Sequence, residues 1–564
     1  MMISKLSTKA YLLQIMQKNI IYRYYRHVVR PKIKFIKKLK TQLSSSSNTF
    51  NSIIDQKKIL VPLIETSHPI FYLVLIILKI LSLRGADVLI LTCGSSLPGC
   101  EIKSIRAPLI NPCLACKANK KRVLPLFGLK VQSISDYIEP ESIKLLQHNA
   151  LELFKSSKEM IFRGISIERM VNDSFVRHFY GATPDEGTEL FRTIQLRYIH
   201  SAIIGIDVAA RIGETWDPDI IFGTMNVYVD YAPYYDYFLS KGKETSLISM
   251  TPFDFNSVIL NSPDLYTAPL PFNTWINKRK NKSLNHNESN ELQIFLNNRL
   301  KGTTKIFKEM QYFSSDLFSY KSLEKTYHRD TDQQNVILFP NIYWDIGLSE
   351  CNTIFKDVVS WVLDTVKIIS LHPNINLFIK PHPAEVYDSS PSEKGIESFV
   401  RETFPNLPDN INFIQPQMKV NSYDLIPYID YAITYNGTIG LELMLKDVPV
   451  ITAGRAPYSH MQLSNDPSSK AEYEELIIGK TNFHRPEKSQ LELYAYFYFI
   501  KSCIPIDFMH QVYSMDFDGY AFKSLDDLTD QQNGTLLHLS NCIVDKRSYS
   551  PEDYPIYNHG TKTP

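Results

Sequence analysis

The sequence predicts an α/β protein with two lobes, each a parallel sheet covered by helices. The chain has 564 residues, more than one hydrophobic core usually serves, so two domains are expected. Short apolar runs alternate with helical segments in residues 57–93 and again in 335–454. This alternation is typical of parallel strands joined by right-handed crossover helices. The expected architecture is two Rossmann-like lobes with a cleft between them.

Residues 1–55 are predicted to be a basic amphipathic segment followed by a Ser-rich linker. Residues 1–40 contain eleven Lys and Arg and no acidic residue, although the whole chain has a net charge of only +2. A base excess confined to one segment does not describe a nucleic-acid-binding surface, so nucleic acid is not an expected partner. Two interpretations remain open: an interfacial helix on anionic lipid, and a solvated helix packed on the outside of the protein.

Residues 56–332 are predicted to be an N-terminal domain that ends in a helical insert. Its first βαβ unit comprises strand 57–65, helix 69–83 and strand 87–93. The apolar helix contains Lys79 and is shorter than a membrane-spanning helix, so it is expected to lie in the core. The interdomain region is placed in the polar stretch 275–332.

Residues 333–488 are predicted to be the C-terminal domain, and residues 489–564 to be C-terminal helices and a tail. The C-terminal domain begins with an apolar strand from residue 335, and β-α repeats continue to an apolar strand near residue 450. Such a series forms a doubly wound sheet. Ligands bind such sheets in the loops that follow the strands.

The sequence indicates a cytoplasmic location. Its seven cysteines, an odd number without a regular framework, suit a reducing compartment. The apolar stretches near the N-terminus are interrupted by Lys18 and Arg23, and no small-residue cleavage site follows them. Peripheral contact with the inner face of the membrane, through residues 1–40, is an open alternative.

The motif "IKPHPAE" follows a predicted strand and contains the first candidate site residues. Pro381 and Pro383 restrict the backbone on both sides of His382, so its imidazole is held ready to bind a phosphate oxygen. Lys380 would add a positive charge for the same anion. The competing interpretation is an ordinary turn.

The motif "YNGTIGLE" takes a strand directly into a helix. Gly437 permits close approach to the backbone, and Thr438 is a suitable N-cap, so Asn436, Gly437 and Thr438 would form an anion site at the helix start. Glu442 lies one turn later, where its carboxylate would accept hydrogen bonds from ribose hydroxyls. The alternative is a capped helix with a surface Glu.

Two further loops carry candidate catalytic residues. Asp345, in "NIYWDIG", would position the sugar or organise its loop, and a helix cap is the alternative. Glu65 and His68, in "IETSHP" after the first strand of the N-terminal lobe, are candidates for the base that accepts a proton from an acceptor hydroxyl. Helix capping by Ser67 is the competing interpretation.

Four cysteines fall within twenty-four residues, namely Cys93, Cys100, Cys113 and Cys116. Four thiolates can hold a structural zinc, but the spacing of the first pair differs from that of known zinc modules. Small buried hydrophobic side chains are therefore the favoured interpretation, and zinc stays open. No Asp-x-Asp motif stands in a suitable loop, so neither a catalytic metal nor a cofactor is expected.

The segments "NIYWD", "KPHPAE", "NFIQP", "YNGTIGLEL" and "VPVITAGRAPY" resemble, in order and spacing, the capsule polysaccharide biosynthesis family of bacterial glycosyltransferases. This family is related to Kdo- and sialic-acid-transferring enzymes, and the match covers residues 335–458. In such enzymes an HP motif and a Ser- or Thr-containing turn bind the nucleotide phosphate. The resemblance implies these roles for His382 and for the turn Asn436–Gly437–Thr438. Lys380 stands where relatives often have Arg.

The resemblance implies a GT-B fold with two functional partners. The C-terminal lobe would bind a nucleotide-sugar donor, and the N-terminal lobe a glycan or lipid-linked glycan acceptor of a capsular or lipopolysaccharide-type polymer. Two alternatives stay open: a CDP-polyol phosphotransferase of the teichoic-acid type, because "KPHP" occurs there too, and a catalytically silent assembly or export subunit. The donor sugar is not specified.

Overall fold

The computed structural model describes fourteen stretches of the chain. They are residues 33–44, 56–62, 69–105, 112–156, 159–251, 257–261, 272–279, 281–301, 333–345, 348–387, 391–418, 420–510, 519–528 and 534–545. Of the predicted features, residues 1–32, most of the Ser-rich linker, Glu65, His68, part of the interdomain region and the tail from residue 546 lie outside them.

The described helices and strands follow the alternation that the sequence predicts. The helices are α1 Ile33–Gln42, α2 Pro69–Leu83, α3 Pro112–Phe127, α4 Pro140–Lys155, α5 Glu168–Phe179, α6 Glu189–Thr215, α7 Ala232–Ser240, α8 Phe272–Lys278, α9 His286–Leu300, α10 Val358–Ile369, α11 Ala384–Tyr387, α12 Ile396–Thr403, α13 Ile439–Met444, α14 Lys470–Ile477, α15 Lys488–Tyr496 and α16 Gly534–Asp545. The strands are β1 Lys58–Pro62, β2 Asp87–Thr92, β3 Lys130–Ser133, β4 Ile161–Phe162, β5 Ile165–Ser166, β6 Ile220–Gly223, β7 Glu244–Met250, β8 Ser257–Asn261, β9 Gln334–Phe339, β10 Ile375–Ile379, β11 Ile411–Phe413, β12 Tyr431–Thr434, β13 Val450–Thr452 and β14 Ile504–Pro505.

The chain forms two compact units. Unit 1 comprises Met1–Ser174, Arg192–Ile248 and Pro505–Arg547, and unit 2 comprises Phe175–Phe191, Ser249–Ile504 and Ser548–Pro564. These bounds differ from the predicted domain boundaries, because each unit consists of three separate segments of the chain. The predicted C-terminal extension, for example, contributes α16 to unit 1.

A seven-stranded sheet has the order β14-β8-β7-β6-β1-β2-β3. Each neighbouring pair of strands from β7 to β3 is parallel. The chain runs from β1 to β2 and β3, and later adds β6 and β7 on the other side of β1, so the winding direction changes between β1 and β6. Strand β1 borders this switch point, so the loop predicted to carry Glu65 and His68 starts there. The side chains of that loop lie outside the described residues.

The five-stranded sheet of unit 2 has the order β11-β10-β9-β12-β13, and all its pairs are parallel. Its strands are near-continuous apolar runs because helices cover both faces. On one face Trp361 of α10 donates its indole N–H to the hydroxyl of Tyr473 on α14, at 2.8 Å. Together the two sheets confirm the predicted α/β fold with two doubly wound lobes.

Helix α2 is apolar on every side because other elements enclose it. The six residues Leu73–Leu78 are fully buried, as expected for a helix enclosed by other elements. The prediction of a core helix is confirmed. Gly85 ends the helix with φ 104°, a left-handed conformation that glycine adopts without strain. In the described residues, no helix has both the length and the apolar character needed to cross a membrane.

The described end of the N-terminal segment packs onto unit 1. Leu39 of α1 is fully buried, and the Gln42 amide donates hydrogen bonds to the carbonyls of Tyr520 and Phe522. For α1 the structure therefore favours a helix packed on the protein over an interfacial one. Residues 1–32, which carry seven of the eleven basic residues, lie outside the described part.

Candidate functional site

The candidate site of unit 2 lies where its sheet changes winding direction. The chain passes from β9 outwards to β10 and β11, then returns past β9 to β12 and β13. The loops after β9 and β12 therefore leave the sheet in opposite directions, and such a switch point is the usual ligand site of doubly wound sheets. Asn341 follows β9 and Asn436 follows β12, and the Asn436 N–H donates to Asn341 Oδ1 at 3.5 Å.

His382 stands in the loop after β10, the strand next to β9. Its side chain is exposed, and its Nδ1 accepts the backbone N–H of Ala384 at 3.1 Å. The Glu385 N–H donates to the His382 carbonyl at 3.0 Å, so His382 accepts two N–H groups from the first turn of α11. Because Nδ1 is an acceptor, the neutral ring carries its proton on Nε2. The imidazole can present an Nε2–H donor to an oxygen of a ligand.

Lys380 lies in a different environment from the one expected. It is only 6% exposed, and burial lowers the pKa of its amine to about 8. Lys380 directly follows β10 and is enclosed by unit 2, and its predicted role as a positive charge for a phosphate stays a prediction. The low pKa follows from desolvation, because burial disfavours the charged form of an amine.

Two side chains from other loops of unit 2 contact the turn Asn436–Gly437–Thr438. The Asn436 Nδ2 donates to Cys351 Sγ at 3.0 Å, and the Gly437 carbonyl accepts the Tyr458 hydroxyl at 2.9 Å. Thr438 occupies the N-cap position of α13, but it has helical φ and ψ and makes no side-chain capping bond. The expected Thr cap is therefore wrong, and α13 is a short helix of six residues.

No neighbouring atom of the protein requires glycine at position 437. A Cβ built at this position has Ile439 Cγ2, at 3.5 Å, as its nearest neighbour, which is ordinary van der Waals distance. Its φ also lies outside the left-handed region. The fold would accept alanine here, so the absence of a side chain leaves open space on the turn.

Glu442 is not the surface carboxylate that the sequence suggested. It is 3% exposed, Arg299 of α9 donates to Oε1 at 2.8 Å, and the Tyr423 hydroxyl donates to Oε2. Burial raises the pKa of Glu442, and the Arg299 guanidinium opposes that shift. Both carboxylate oxygens already have partners, so the predicted role of accepting ribose hydroxyls is wrong in this structure.

Asp345 is exposed, and its N–H donates to the Ile342 carbonyl at 3.0 Å. It does not cap the following helix, because Asp357 caps α10 by accepting the Ser360 N–H at 2.7 Å. Of its neighbours, Trp344 is buried, and its indole N–H donates to Ser392 Oγ at 2.8 Å. Asp345 therefore stays a candidate for contact with a ligand.

The four cysteines of the N-terminal lobe line one cavity of about 110 Å³ in unit 1, at the carboxyl end of β2. The charged residues of its lining are Lys117, Lys120 and Asp230. Burial raises the pKa of the Cys93 and Cys100 thiols, which keeps them protonated. Among the described residues, no three Cys, His, Asp or Glu side chains are placed to hold a metal ion.

Three residues of this region were not among the predicted site residues. Glu385 is 6% exposed, with Oε2 accepting the Ile396 N–H at 3.4 Å and Oε1 without a partner within the described residues. Arg455 follows β13, and its N–H donates to the Cys351 carbonyl at 2.9 Å. Tyr458 lies under the Asn436–Thr438 turn. All three belong to the motifs quoted above, but periodicity alone does not distinguish them from core or surface positions.

No family model matches the chain, and no curated protein matches it. Solved structures with similarity include a KpsC β-Kdo 2,4-transferase of Thermosulfurimonas dismutans, with 13% identity over 58% of this chain and 88% of that one, and a TM-score of 0.32. A UDP co-structure of MnaA from S. aureus has 10% identity over 78% and 94% of the chains, and a TM-score of 0.24. The glycosyltransferase SnogD of Streptomyces nogalater has 10% identity over 78% and 93%, and a TM-score of 0.20. All three TM-scores are below 0.5, so the function proposed below rests on the residues of the site.

Proposed function

We propose that the chain is a GT-B-type glycosyltransferase that moves a sugar from a nucleotide-activated donor onto a growing surface polysaccharide. One observation carries the proposal. His382, with its imidazole, and the open turn at Gly437 follow β10 and β12, the two neighbours of β9, so both lie at the carboxyl edge of one parallel sheet. A hydrogen-bond donor beside an unobstructed backbone suits a nucleotide phosphate.

In the proposed reaction the nucleotide phosphate is the leaving group, and negative charge grows on it as the sugar departs. His382 would stabilise that charge through Nε2–H, and the turn would orient the phosphate. Catalysis would therefore be electrostatic and positional, with no step routed through a metal. Glu65 and His68 are proposed as alternatives for the base that takes the acceptor hydroxyl's proton, and Asp345 as a residue that positions the sugar.

Calorimetry with CMP, CDP and UDP tests the proposal directly. We expect the wild-type chain to bind at least one of the three, and His382→Ala to bind it about tenfold more weakly, the effect of losing one hydrogen bond to a charged group. His372→Ala is the matched control, because His372 lies in the turn before β10, at the opposite end of the same strand. Lack of binding by all three nucleotides would exclude a nucleotide-dependent transferase.

Substrate trials separate the transferase from a polyol phosphotransferase. With a lipid-linked oligosaccharide acceptor, we expect mass spectrometry to detect addition of a sugar, also in the presence of EDTA. Addition of a polyol phosphate from CDP-glycerol would replace the proposal with the phosphotransferase. Contact of residues 1–40 with the inner membrane face remains part of the proposal, tested by co-sedimentation with anionic vesicles.

A further inference from the structure

Tyr458 lies beneath the turn that follows β12, although it comes from the loop after β13. Its side chain is 1% exposed, and its hydroxyl donates to the Gly437 carbonyl at 2.9 Å. The same hydroxyl lies 3.5 Å from Oγ1 of Thr434, the last residue of β12. A single buried group therefore contacts the end of the strand and the turn that leaves it.

Gly440 makes this contact possible. A Cβ at Gly440 would lie 2.1 Å from the Tyr458 hydroxyl oxygen, so only glycine lets α13 pass over it. The Gly440 N–H also donates to the Gly437 carbonyl, at 3.2 Å. With two donors on one carbonyl, the plane of the Gly437–Thr438 peptide is fixed, because the peptide bond cannot rotate.

We propose that Tyr458 is a positioning residue that holds the Asn436–Thr438 turn in the orientation that receives the donor's phosphates. This inference rests on the proposed function for its ligand, whereas the positioning itself is a property of the free protein. Burial raises the pKa of Tyr458 far above its usual value, so the hydroxyl remains a donor throughout the physiological range.

The test compares Tyr458→Phe with Tyr494→Phe. Tyr494 is a suitable control because it is equally buried, and its hydroxyl donates to the carbonyl of Pro457, the neighbouring residue, at 2.6 Å. Each variant loses one buried hydroxyl-to-carbonyl bond, and Tyr458→Phe also loses the 3.5 Å contact with Thr434 Oγ1, so we expect both to lose thermal stability and Tyr458→Phe to lose slightly more. Only Tyr458→Phe should speed hydrogen–deuterium exchange in a peptide spanning residues 436–442, and only it should weaken nucleotide binding, by about three- to tenfold.

Hydrogen–deuterium exchange tests the positioning role, and nucleotide binding tests the proposed function. Equal exchange in the two variants would overturn the positioning role, whether or not nucleotide binds. Faster exchange in Tyr458→Phe, with no nucleotide bound even by the wild type, would uphold the positioning role and overturn the proposed function. If Tyr458→Phe does not fold, Gly440→Ala displaces the same hydroxyl by an independent route, and the same exchange measurement decides.

Discussion

Two glutamates of unit 2, Glu385 and Glu442, show how tertiary context decides the role of a residue. Both stand in motifs that suggest binding, and both are buried. The carboxylate of Glu442 pairs with the guanidinium of Arg299, a residue 143 positions earlier in the chain. Glu385 has no such cation within the described residues, and its neighbour Glu397 is another carboxylate.

Glu385 predicts a dependence of stability on pH. Burial and, secondarily, Glu397 raise its pKa from 4.5 to about 7, so the folded state holds a proton that the unfolded state has lost between those values. Stability contributed by this residue is complete below pH 4.5 and is lost as the pH rises through 7. Between pH 5 and 8 we expect the free energy of unfolding of unit 2 to fall by up to about 3 kcal/mol more in the wild type than in Glu385→Gln.

Urea unfolding, monitored in unit 2 at both pH values, measures this difference. Glu402→Gln is the control, because Glu402 is an exposed carboxylate that pairs with Lys394 at 2.6 Å in the same region. Its pH dependence should match that of the wild type. If Glu385→Gln also matches the wild type, Glu385 is ionised in the folded protein.

At the scale of elements, the strand–turn–helix units could be predicted from the sequence, but their caps could not. The apolar run of residues 431–434 is β12, and the following helix is α13, as expected. The expected Thr438 cap is absent, because the turn is held by Tyr458 and Cys351 from other elements. A local pattern predicts which element forms, whereas non-local hydrogen bonds decide how it begins.

The open space at Gly437 predicts a variant that folds but binds poorly. Gly437→Ala should leave the free energy of unfolding unchanged or raise it by up to about 1 kcal/mol, since alanine restricts the unfolded chain. Its methyl group should lower nucleotide affinity at least about tenfold by occupying the space next to the phosphate.

Gly187→Ala is the matched control for this variant. Gly187 is exposed, and a Cβ there would meet nothing within 4 Å, so both stability and nucleotide affinity should be retained. Calorimetry and thermal unfolding measure both quantities. Wild-type affinity in Gly437→Ala would remove the turn from the nucleotide site.

At the scale of the molecule, helix α16 belongs to unit 1 and packs against residues from the beginning of that unit. Arg84, which follows α2, is 6% exposed, and its guanidinium donates to Ser540 Oγ and, at 2.8 Å, to Asn541 Oδ1 on α16. The contact joins residues more than 450 positions apart. No local pattern in residues 534–545 indicates this partner.

Arg84→Ala should therefore destabilise unit 1 by about 1–3 kcal/mol, the usual cost of losing hydrogen bonds to a buried charged group. Limited proteolysis should cut near α16 sooner, while the fragments of unit 2 appear at the wild-type rate. Arg192→Ala is the control, because Arg192 is exposed on α6. Equal protection of α16 in the two variants would show that apolar packing alone holds the helix.

The sequence by itself determined the α/β class, most strands and helices of both sheets and the loops that follow the strands, because these depend on apolar periodicity and local turn residues. Only the tertiary structure decided which carboxylates and amines are buried, which residues support the turn at Gly437 and to which unit each returning segment belongs. Those properties depend on desolvation and on hydrogen bonds between residues far apart in the chain.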